Sequence, residues 1–90
     1  MSKKILTFID YYLPGYRAGG PIVSLANMVK LLYGAIEFYI VTKDRDLGDK
    51  VPYENIKIGQ WNKVDHTNIL YLKNFGCIGL IKVIKSDKWD

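Results

Sequence analysis

The residues with the most chemistry to offer lie close together: Gly15, Arg17, Gly19 and Gly20, in the stretch from Asp10 to Pro21. Ahead of them Ile5 to Ile9 is a short apolar run of buried-strand length. Behind them Gly19-Gly20-Pro21 opens a helix that runs to Leu32, with Pro21 at the first helical position, where its missing N–H costs nothing. A strand, a glycine loop and a helix start leave unpaired backbone N–H groups and a positive helix end facing one crevice, and anions bind in such places. Two known phosphate loops can be excluded. The glycines do not give the G-x-G-x-x-G of dinucleotide sites. Gly15 and Gly20 have the separation of a Walker loop, but Pro21 and Ile22 stand where it needs Lys and Ser or Thr. Close packing and close ligand approach therefore remain equal explanations of Gly19 and Gly20.

Other reactive side chains are sparse. Cys77 and His66 are the only cysteine and histidine, so the sequence carries no metal-chelating spacing and implies no metal and no cofactor. His66, between Asp65 and Thr67, reads as a solvated loop residue, and Cys77 as inert packing. No serine or cysteine has a base near it in sequence, which leaves nucleophilic catalysis without support. Asp10 stands at a strand exit, as catalytic carboxylates often do. Satisfying backbone N–H groups of the following turn is its expected role. No catalytic residue is assigned.

These residues need a scaffold, and hydrophobic periodicity supplies one. Ile22, Leu25, Ala26, Val29 and Leu32 recur at helical spacing. Val23, Met28 and Leu31 widen that stripe, so little of the helix need face water, and Met28 reads as core filler. Gly34 is placed to end the helix as a left-handed cap. Ile36 to Thr42 is apolar on both faces, the pattern of a parallel strand covered by helices. Two strands joined by a helix form a βαβ unit, so both strands open on one sheet edge, and Lys43-Asp44-Arg45-Asp46 neighbours the glycine loop. Residues 43–60 are irregular, with a weak extended hint at Ile56 and Ile58. Trp61 is expected to pin that loop onto the domain. Asn68 to Lys73 is a third strand and Cys77 to Lys85 a second helix, followed by a turn over Ser86 to Asp90. The fold class is α/β: an incomplete Rossmann-like parallel sheet in the order strand, helix, strand, loop, strand, helix.

Ninety residues suffice for one small domain. The net charge of +4 comes from lysines scattered singly, which reads as a solvated face. No basic patch interleaved with aromatics points to nucleic acid. Contact with anionic lipid headgroups is a secondary reading. The sequence has no membrane-length apolar run, Ile5 to Ile9 is too short for a signal-peptide core, and a single cysteine fits a reducing cytoplasm.

The run Lys4 to Ile9, then Tyr12-Leu13-Pro14-Gly15, Ala18-Gly19-Gly20-Pro21 and Ser24-Leu25-Ala26-Asn27, resembles the amino terminus of family 4 glycosyltransferases. The likeness continues through Phe38 to Asp49 and resumes at Asn68 to Leu72. The resemblance implies a retaining transfer of sugar from a nucleotide-sugar donor to a glycan or lipid-linked acceptor, by an enzyme of the two-domain GT-B fold. Residues 1–90 would form part of its amino-terminal, acceptor-side domain. The chain ends before the strand that lies beside the first one in that family and before the donor-binding domain. It is therefore expected to be a fragment, inactive alone. Carried over by position, Gly19 and Gly20 would offer N–H groups to a donor phosphate. Arg17 adds a candidate charge-assisted contact that is not a family constant. The alternative is a small stand-alone α/β module that binds a phosphate-bearing ligand in the same crevice.

Overall fold

A computed structural model describes residues 3–64, 66–73 and Trp89. The described elements are β1 (Lys3–Phe8), α1 (Gly20–Leu32), β2 (Ile36–Lys43), β3 (Trp61–Val64) and β4 (Thr67–Leu72). They build one four-stranded sheet in the order β1-β2-β4-β3. β1 pairs parallel with β2 and β2 parallel with β4, Ile5 lying opposite Phe38 and Ile40 opposite Ile69. The strand–helix–strand unit and the third strand thus stand as expected, within a residue or two.

Two expectations about the sheet need correction. It is mixed rather than parallel, because β3 runs antiparallel to β4, with Asn62 opposite Ile69 and Val64 opposite Thr67. Only two positions separate these strands, and so short a connection can join only antiparallel neighbours. Trp61 is also not a loop residue. It begins β3 and meets the Tyr39 ring edge-on, with centroids 5.2 Å apart. The helix expected over Cys77 to Lys85, with Cys77 itself, lies outside the described residues.

The core lies between α1 and one face of the sheet. Side chains alternate across a strand, so Phe38 and Ile40 of β2 share a face with Ile69 and Tyr71 of β4. Ile22 and Val29 of α1 close on that face, with Tyr12 from the loop after β1. Each such side chain contributes roughly 1.5–3 kcal/mol by leaving water. The rest of α1 is wetter than its composition implies: Met28 is 47% exposed and Leu31 82%. A helix on a flat sheet presents only one stripe to it, and Met28 and Leu31 fall on the far side. Gly34 is not left-handed. The helix closes through Tyr33, which is still helical, and an Ala35 N–H to Leu32 carbonyl bond of 2.9 Å.

Candidate functional site

The three parallel strands end on one edge, where two loops meet. The first runs from Ile9 to Gly19 and the second leaves β2 at Asp44. Backbone bonds join each of them to the sheet: the Lys43 N–H at the end of β2 donates to the Asp10 carbonyl at 3.2 Å, and the Asp44 N–H to the carbonyl of Leu72 in β4 at 2.9 Å.

Asp46 is the hub. Its carboxylate, in a residue only 4% exposed, accepts the N–H groups of Tyr16 at 3.1 Å, Arg17 at 3.2 Å and Leu47 at 2.8 Å. Burial alone would raise its pKa. The three N–H donors and the nearby Arg17 charge outweigh that and hold the carboxyl below its usual range. Two tyrosines extend the clamp. The Tyr53 hydroxyl donates to the Tyr12 carbonyl at 3.2 Å, and the Tyr71 hydroxyl to the Leu13 carbonyl at 2.6 Å. Burial first, then the neighbouring Tyr12, pushes the Tyr71 phenol up to about 12. Burial likewise raises Tyr53. Beside them Asp44, also buried, holds Arg45 at 2.8 Å, and the Arg45 guanidinium donates to the Lys50 carbonyl at 2.6 Å.

The two glycines of the first loop and the one that starts α1 have different reasons to be glycine. A Cβ on Gly15 would stand 2.8 Å from an Asp46 carboxylate oxygen and would strike the Tyr53 hydroxyl, so Gly15 serves close packing. Gly19 caps α1 with φ of 71°, where other residues are strained. Gly20 has neither constraint. A Cβ there meets nothing within 4 Å, and among the described residues nothing accepts its N–H.

The sequence candidates therefore stand at the expected edge. Gly19 and Gly20 form the open mouth of α1. Arg17 lies beside them, but its guanidinium is turned to the second loop: it reaches Asp49 at 2.5 Å and the Leu47 carbonyl at 3.4 Å. Asp10 does not do the work expected of it. Its side chain is exposed and makes no hydrogen bond among the described residues, and Asp46 satisfies the loop N–H groups instead. His66 is exposed as expected, yet it lies flat against Tyr33, with centroids 3.8 Å apart and ring planes 5° from parallel.

Sequence reading set Asp46 beside the glycine loop but gave it no role, and it passed over Tyr53 and Tyr71. The available signal was the Asp44/Asp46 pair directly after a parallel strand. Among the described residues no cluster of His, Cys, Asp or Glu could hold a metal, and no helix is long and apolar enough to cross a membrane. No protein family, curated protein or solved structure matches the chain.

Proposed function

We propose that the chain is the amino-terminal, acceptor-side part of a retaining family 4 glycosyltransferase, moving a sugar from a nucleotide-sugar donor to a glycan or lipid-linked acceptor. The observation that carries this reading is the Asp46 clamp. The two stretches that resemble the family most, Ala18 to Pro21 with its preceding loop and Thr42 to Asp49, are bonded together at one sheet edge. A Rossmann-like, GT-B half-domain is the arrangement in which those stretches would face a second lobe, and the parallel order of β1, β2 and β4 is compatible with it. In open α/β sheets that edge is where ligands bind.

In this reading Gly20 presents its backbone N–H to a donor phosphate, while Gly19, whose own N–H is donated to the Tyr16 carbonyl at 3.1 Å, shapes the turn before it. Packing gives no other reason for a glycine at Gly20. Arg17 would reach the phosphate only by exchanging Asp49 for it. The donor-binding lobe, with the catalytic groups, would lie beyond these ninety residues. The enzyme would work in the cytoplasm, against the inner face of the membrane where its acceptor is lipid-linked.

The test is sugar transfer by the complete gene product, screened over nucleotide-sugar donors, with Gly20→Ala as the diagnostic variant. The expected result is transfer with retained anomeric configuration, and a rise in donor KM on substitution without loss of fold. A complete gene product that neither binds nor turns over any nucleotide sugar would overturn the reading. Binding of free phosphate compounds by the chain without transfer would replace it with the stand-alone module.

A further inference from the structure

Away from the glycine rim, a cavity of about 60 Å³ lies between α1 and β4. Its walls are Tyr12, Leu13, Ala26, Val29 and Ile69, with Val64 and Thr67 beside them. Native interiors close such gaps unless the walls are held apart. Here they are held. The Tyr53 and Tyr71 hydroxyls fix the carbonyls of Tyr12 and Leu13, and Ala26 is the smallest side chain a helix can place opposite them without glycine. Lys30 and His66 also line the cavity and are both exposed, so they stand at its mouth. His66 is kept in plane by its stack on Tyr33, and among the described lining residues Lys30 carries the one fixed charge. The walls are apolar apart from Thr67, and the mouth is cationic. No part of the proposed sugar transfer uses this place.

We propose that this cavity binds the apolar end of a small amphipathic monoanion, a short branched carboxylate, whose charged head is held by Lys30. Size sets the class. An apolar cavity that takes benzene measures about 150 Å³, so this one accepts only the few carbons of an isopropyl or similar end. Charge sets the sign, since the mouth offers a cation to the head group and no carboxylate among the described lining residues. So few atoms give an affinity on the order of millimolar for a minimal probe.

The test is an amide-resolved NMR titration of the chain with isobutyrate, isobutanol and isobutylammonium as probes. Isobutyrate should give saturable shifts at Ala26, Val29 and Ile69, with the alcohol about tenfold weaker and the ammonium ion without effect. Lys30→Glu, at an exposed position, should remove the preference for the acid over the alcohol. Ala26→Leu should abolish saturable shifts by all three, with the fold confirmed by an unchanged spectrum elsewhere. Shifts that do not saturate, or that survive both substitutions, would overturn the proposal. Equal shifts from the acid and the ammonium ion would do so too.

Discussion

The sheet core and the loop edge are both well packed, but different forces hold them. Phe38, Ile40, Ile69 and Tyr71 meet α1 through apolar surface, which has no preferred direction and tolerates small shifts. The loops at the strand ends meet through one buried carboxylate, two tyrosine hydroxyls and a string of backbone N–H groups, which work only at set distances and angles. Substitution should therefore weaken the core by degrees, while the edge should open as a unit when one atom of the clamp is lost.

The largest effect should come from the core. Ile40 is fully buried, and Ile40→Ala should cost about 2–5 kcal/mol by lost transfer energy and the cavity left behind, read from urea unfolding. It should leave the loop edge intact in whatever fraction stays folded. Alkali should act next, and at the edge. A phenol raised from 10.0 to about 12 in the folded chain favours folding fully below pH 10, and the benefit is lost as pH rises toward 12. Tyrosinate absorbance and circular dichroism followed together should show the fold weakening across that window.

Acid should act on the same edge with the opposite sign. Asp46 is held below its ordinary value of 3.8, so its contribution is complete above that pH and fades as pH falls further. The check is whether the Tyr16 and Arg17 amides lose protection before those of β2. Removing one hydroxyl is milder. Tyr71→Phe should cost about 1 kcal/mol, the worth of one hydrogen bond, and should also abolish part of the alkaline loss. Smallest of all is Gly20→Ala. It fits open space at the start of α1 and should stabilise the chain by up to about 1 kcal/mol in thermal unfolding. Such a gain, joined to a weaker donor interaction in the complete enzyme, would separate a ligand-facing glycine from a structural one.

The same contrast explains what was legible in the sequence. Apolar periodicity announces β1, α1, β2 and β4, because burial on a regular element writes a pattern every two or 3.6 residues. β3 has no such pattern. Asn62 and Lys63 interrupt it, and its place depends on an antiparallel partner that follows almost at once. Met28 and Leu31 mislead for the converse reason: apolar residues on a helix do not say which of them the sheet will reach. The place of Gly19, Gly20 and Arg17 at the strand-end rim follows from parallel topology alone. The place of Asp46 beside the glycine loop follows too, but its bonding does not, since it meets Tyr16 and Arg17 across about thirty residues of chain and no local spacing encodes those contacts.

Amide hydrogen exchange in an Asp46→Ala variant, compared with the parent chain at one neutral pH, tests the clamp most directly. Tyr16 and Arg17 should lose protection sharply while Ile40 and Ile69 keep theirs. Unchanged protection at Tyr16 and Arg17, or an equal loss through the whole sheet, would contradict a loop edge gathered by one carboxylate.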